Sequence, residues 1–158
     1  MKILVSSLCA FWALSGLASA GESPAASRPD GIAERGAKRM PFDLNRTVHV
    51  FRKIATGGLQ QVRVKEAGDA EQIRRIREHL SELARRLAEG DFSGPEHIHG
   101  SGLPGLAELR AAAKHIRFIY QELPDGAQIG YFSDRPAHVA AIHRYFDAQR
   151  HDHAAGED

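Results

Sequence analysis

Cysteine is nearly absent from this chain: its 158 residues include one, Cys9. That residue lies inside an apolar run from Ile3 to Leu17, which follows Lys2 and ends at Ala18-Ser19-Ala20. A basic start, an apolar core and a small-x-small site form the three-part pattern of a secretory signal peptide, so cleavage is expected after Ala20. The only thiol leaves with it. The expected mature chain has no disulfide, no iron–sulfur cluster and no cysteine nucleophile. An exported domain of this kind is held by its core alone. Lipid attachment at Cys9 is disfavoured, because Ser6-Ser7-Leu8 lacks the small residues such a site has just before the cysteine.

A long hydrophobic stretch is also missing. The run from Ile3 to Leu17 is too short and too rich in Ser and Gly for a good membrane-spanning helix, so no stable anchor is expected once it is removed. The expected location is periplasmic or secreted. Neither sign of charge is in excess. The chain has 21 Lys and Arg against 20 Asp and Glu, and loss of Lys2 leaves 20 against 20. That balance argues against a nucleic-acid partner, which calls for surplus cations facing phosphates. Standard catalytic signatures are absent as well: there is no H-E-x-x-H, no G-x-S-x-G, no phosphate-binding Gly-Lys-Ser/Thr loop and no C-x-x-C-H haem attachment. A haem held without covalent attachment, through a histidine axial ligand, stays compatible with the sequence.

What the chain does have is histidine: nine of them, all after Ala20. They are distributed over one domain's length. Residues 21–40 are rich in Gly, Ala, Ser, Pro and charge, and read as a flexible leader. A single domain is expected over 41–153, with a disordered tail over 154–158.

Within that domain, Thr47 to Ile54 alternates, with Val48, Val50 and Ile54 on one side and His49, Phe51 and Lys53 on the other. Thr56-Gly57-Gly58 supplies a turn, and Leu59 to Lys65 returns as the hairpin partner. Asp69 and Gln72 make a capping box for a helix whose apolar face is Ile73, Ile76, Leu80, Leu83 and Leu87, stopped by Gly90. Asp91 to Gly105 reads as loop. Leu106 to His115 reads as a short helix. Ile116 to Leu123 and Ala127 to Ser133 form a second hairpin around Pro124-Asp125-Gly126. Ser133 or Asp134 caps a last helix with Val139, Ile142 and Phe146 inward.

Val62, Val64, Ile73, Ile76 and Leu80 match Ile129, Tyr131, Val139, Ile142 and Phe146 about 66 to 67 residues later. The expectation is an α+β fold: a doubled ββα unit with a four-stranded, mostly antiparallel sheet and helices on one face.

Five histidines are candidate ligands. His99 lies near the start of the short helix; its neighbour His97 reads as an exposed loop residue. His79 is at the border of the first helix's buried stripe. His49 is on the open face of the sheet if the helices cover the valines, and in the core if they cover the other side. His143, Asp147 and His151 fall at i, i+4 and i+8, a spacing that could hold Zn²⁺ or Cu²⁺. Beyond Phe146, the inner stripe of the last helix continues to Gln149 and His153. A buried stripe that turns polar means that the helix leaves the core or that a polar pocket begins there.

Several segments also resemble a known group. These are Pro41-Phe42-Asp43-Leu44, Thr47-Val48-His49-Val50-Phe51, Gly57-Gly58-Leu59-Gln60-Gln61-Val62, Gln72-Ile73, Ile76-Arg77-Glu78-His79-Leu80, Gly90-Asp91-Phe92, Ile98-His99-Gly100, Pro104-Gly105-Leu106 and Phe146-Asp147-Ala148-Gln149. Over about residues 40 to 153 the chain resembles a family of small exported bacterial proteins often given the name aspartate carbamoyltransferase. The resemblance places His49, His79 and His99 inside the matching stretches, ahead of His97, His115 and His138. It does not imply that activity. True carbamoyltransferases resemble longer two-domain α/β enzymes with a Ser-x-Arg-Thr phosphate loop and a His-Pro-x-Gln element, and neither motif is present here.

Three functions follow, in order of preference. The first is a small periplasmic binding or accessory protein that holds copper, zinc or haem through His99, His49, His79, His143 and His153. The second is a structural or interaction domain whose open sheet face, with His49, Phe51, Gln61, Arg63 and Gln121, docks a protein partner or a second copy. The third is an enzyme of unknown reaction.

Overall fold

The computed structural model describes Gly31, Arg35, Gly36 and residues 38–154, with side chains through Asp152. The expected signal peptide, Cys9, most of the leader and residues 155–158 lie outside the described residues.

Alternation in the sequence becomes two hairpins. Strand β1 (Thr47–Ile54) pairs antiparallel with β2 (Gly57–Val64), and Ile54 opposite Gly57 leaves Ala55-Thr56 as the two-residue turn. Strands β3 (Arg117–Leu123) and β4 (Gly126–Phe132) pair around Pro124-Asp125. The hairpins join through β2 and β4, also antiparallel, giving one four-stranded sheet in the order β1-β2-β4-β3. Gln61 sits opposite Gln128 at the centre. An offset of 67 residues carries Gln61 onto Gln128, Val62 onto Ile129 and Val64 onto Tyr131, so the sequence match coincides with a two-fold relation between the hairpins.

Packed with the sheet are helices α1 (Ala70–Glu89), α2 (Ser93–His99), α3 (Leu106–Ala112) and α4 (Pro136–Ala154). The fold is α+β, with the sheet packed against helices. Each ββα unit is crossed over its twin. Helix α1 of the first unit lies mainly on β3 and β4, and α4 of the second lies on β1 and β2.

The ends of α1 follow its sequence. The Asp69 side chain accepts from Gln72 N, and Gly90 closes the helix in the left-handed region at φ 88°. The capping box is only half formed. Gln72 turns its own Oε1 to the backbone N–H of Asp43, at 2.8 Å, and so ties the segment before β1 to the helix.

The helices cover the His49 and Phe51 side of the sheet. Phe51, Val62, Ile129 and Tyr131 are buried. Each such side chain contributes about 1.5–3 kcal/mol when fully buried. Phe146 of α4 stacks edge-on to Phe51 at 5.4 Å and to Tyr131 at 5.1 Å. It also lies against Gly58, where a Cβ would come within 2.4 Å of the ring.

Gln61, Arg63 and Gln121 face outward as the docking reading required, but Phe51 is core and His49 is turned inward. The open face instead carries Val50 and Ile119, 38% and 47% exposed, and a ladder in which Gln61 donates to Gln128 and Gln128 to Gln121, each at 2.8 Å. No helix among the described residues is long and apolar enough to cross a membrane.

Candidate functional site

One cavity of about 270 Å³ gathers residues that are far apart in the chain. His49 reaches it from β1, Gln60 and Val62 from β2, and His79, Leu80 and Leu83 from α1. Pro95, Ile98 and His99 come from α2, Tyr145 and Gln149 from α4, and Met40 and Phe42 from the segment before β1. The volume falls just below the range of about 300–1,000 Å³ usual for drug-sized ligands.

The segment expected to be loop after α1 builds one wall. Ser93-Gly94-Pro95 opens helix α2 because Pro95 stands in its first turn, where a missing N–H costs nothing. Asp91 accepts from Ser93 N at 2.9 Å and from Arg86 Nε at 2.8 Å. The bonds to Ser93, together with the Arg86 guanidinium, hold the Asp91 carboxyl down at about 2. A helical His97-x-His99 sends the two rings to opposite sides. His97 is accordingly exposed, whereas His99 is 5% exposed and faces the cavity.

His99 has a partner that the sequence reading missed. Its Nδ1 lies 2.9 Å from Asp152 Oδ2, and both side chains are almost fully buried. An ionised carboxylate only accepts, so Nδ1 carries the proton and the lone pair is on Nε2. Burial holds the His99 pKa below its usual value, against the opposing pull of Asp152. His79 is lowered as well, first by burial and then by the Arg86 charge. Among the described residues His79 makes no side-chain hydrogen bond; its ring meets Phe42 edge-on at 5.6 Å. His49 lies between Phe42 and Phe51, at 5.8 and 6.5 Å.

Two tyrosines lie deep in the structure. Tyr131 donates to Gln60 Oε1 at 2.6 Å. Burial raises the pKa values of both Tyr131 and Tyr145, so both stay protonated at neutral pH. Next to Tyr145, Gln149 is 4% exposed, and its side-chain hydrogen bond to the Tyr145 hydroxyl opposes part of the effect of burial on that phenol. Gln149 thus stays inside the core where the α4 stripe turns polar, and it lines the cavity.

The other candidates are elsewhere. His143 Nε2 sits 3.0 Å from Ile54 O and 2.9 Å from Gly57 O, where it fastens the tip of the first hairpin. Asp147 accepts from Lys53 at 2.9 Å and pairs with Arg150. The His143–Asp147–His151 set is therefore committed to other contacts at two of its three positions. The His153 side chain lies outside the described residues. His115 and His138 stack at 6.0 Å beside Ser133, in the approach to α4. Among the described residues no group of three His, Cys, Asp or Glu is placed to hold a metal ion.

No protein-family model, no curated protein and no solved structure matches this chain.

Proposed function

We propose that this is a small exported binding protein whose ligand occupies the cavity between α1 and α4. The observation that carries this reading is the convergence on that one cavity of His49, His79 and His99, from three separate elements. A closed core would have apolar side chains at these positions. Burial favours the neutral rings of His79 and His99, and a neutral imidazole carries an acceptor nitrogen, which suits recognition of a small molecule with polar points on an apolar body.

The metal form of this reading has less support. The donors do not assemble into a trio among the described residues, and a haem needs more room than 270 Å³. What favours metal is the Asp152–His99 pair, because a carboxylate on the far nitrogen is the usual orienting partner of a ligating imidazole.

The test uses the chain from Gly21 onward. Ligand-observed NMR screening with a small-fragment set, repeated on Leu80→Trp to fill the cavity, is expected to give hits that the variant loses. Hits unchanged in Leu80→Trp contradict the reading. Parallel titration with Zn²⁺, Cu²⁺ and haemin decides the metal form: stoichiometric binding abolished by His99→Ala restores it.

A second reading, docking of an acidic protein surface on the open sheet face, has its own observation. Both exposed large hydrophobics, Val50 and Ile119, lie on that face. Its outward positions include Arg52, Arg63 and Arg117 but no carboxylate, and the nearby Asp125 is held by Arg63 at 2.9 Å. Val50→Glu with Ile119→Glu should abolish such docking and leave fragment binding intact.

A further inference from the structure

Two polar groups on the cavity wall, the Gln60 amide nitrogen and the His79 ring, make no hydrogen bond among the described residues. Gln60, in the middle of β2, is 7% exposed. Its Oε1 accepts from Tyr131 at 2.6 Å, and Tyr131 and Gln149 both hydrogen-bond the Tyr145 hydroxyl. This buried chain fixes the Gln60 amide, because turning it would break the bond at Oε1. The other end, Nε2, has no partner among the described residues and is not sealed from the cavity that Gln60 lines. An amide nitrogen can only donate, so it calls for an acceptor.

His79 lies half-buried on α1, with its ring edge-on to Phe42. Burial and the Arg86 charge favour its neutral form, which carries an acceptor nitrogen and so has a place for a donor. Charge is confined to the side of the cavity that reaches solvent. Its charged lining residues are Arg39, Glu82 and Arg86, all exposed or half-buried. Glu82 is engaged by Arg85 at 2.6 Å and Arg86 by Asp91 at 2.7 Å. The buried wall around Gln60 has Val62, Leu80 and Tyr145, with no cation for a carboxylate and no carboxylate for an ammonium. A charged group seated there would lose its hydration without replacement.

We infer that the cavity takes a small uncharged molecule with an apolar body and one hydroxyl or carboxamide group, whose oxygen accepts from Gln60 Nε2 and whose O–H or N–H donates to the His79 ring. This rests on the cavity being the ligand site. The remainder of the molecule packs on Phe42, Leu80 and Leu83.

Five ring-matched probes test the inference on the chain from Gly21 onward. p-Cresol donates and accepts, 4-methylanisole only accepts, p-xylene does neither, and 4-methylbenzoate and 4-methylbenzylammonium are charged. Binding is followed in ¹H–¹⁵N correlation spectra with the Gln60 side chain and the His79 ring assigned. p-Cresol is expected to bind about tenfold more tightly than 4-methylanisole, the weight of one buried bond left unmade, and to shift both groups. 4-Methylanisole should in turn bind more tightly than p-xylene, and the charged probes most weakly. His79→Phe should bring p-cresol down to 4-methylanisole and leave the other probes unchanged. Gln60→Leu should bring 4-methylanisole down to p-xylene without weakening p-xylene. Gln60→Met serves if the leucine variant fails to fold. Equal binding of the three uncharged probes, a preference for a charged one, or a p-cresol preference that survives both variants overturns the inference. So does absence of all five probes, while fragment hits lost in Leu80→Trp keep the cavity as a site. Absence of those hits as well overturns both readings.

Discussion

Gln149 carries the sharpest consequence at the scale of single residues. It is buried beside Tyr145 and hydrogen-bonds its hydroxyl, and loss of one partner of a buried bond costs about 1–3 kcal/mol. Gln149→Leu should therefore lower the urea midpoint. A raised midpoint would mean that the bond contributes nothing.

The histidines make the second residue-scale prediction. Burial lowers the pKa of His79, with Arg86 adding to it, and of His99, with Asp152 opposing it. Unfolded imidazoles titrate near about 6.5. Below that pH the unfolded chain takes up protons that the folded one refuses. The two groups' contribution is thus fully present above about 6.5 and lost as pH falls through that value towards the folded pKa values. Urea midpoints should drop from pH 7.5 to 5.5, and less so in His99→Gln. Asp152→Asn removes the opposing pull, so the NMR titration midpoint of His99 should move lower still.

Among the elements, α1 was legible because its stripe, its Asp69 cap and its Gly90 stop all agree with one another. Helix α2 was not. Its Gly94 and Pro95 are loop markers anywhere except in a first helical turn, and only the fold shows that they stand in one. The partner of His143 was hidden for a related reason. Spacing along α4 aligns it with Asp147, but the hairpin tip that it fastens comes from a segment 86 to 89 residues earlier. His143→Ala should speed amide exchange around Ala55 and Thr56 and cost about 1 kcal/mol, the usual net worth of such a bond. Gly58→Ala should cost more, about 1–3 kcal/mol, because the added Cβ runs into Phe146 and pushes α4 off β2. Chemical denaturation of both variants checks that order.

For the whole molecule, the doubled pattern was readable in apolar positions and the crossing was not. An offset of 66 to 67 residues relates the halves but does not say which hairpin each helix covers. The crossing makes the halves interdependent, since α1 lies mainly on the strands of the second unit. A fragment over 41–105 should lack the dispersed NMR spectrum of a folded domain, and one that folds alone would contradict the crossed packing. The cavity follows from the same arrangement. It is lined by β1, β2, α1, α2 and α4, so its wall comes from segments that no local pattern connects. His49, His79 and His99 could be singled out in the sequence, but their convergence could not. Asp152 looked like part of a polar tail until α4 brought it against His99.

The measurement closest to the central claim is a ¹H–¹⁵N titration of the chain from Gly21 onward with the strongest hit of the fragment screen. Saturable shifts confined to cavity residues of β1, β2, α1, α2 and α4 are predicted, with His79, His99 and Gln149 among the largest. Shifts centred on Val50 and Ile119, or none that saturate, would contradict it.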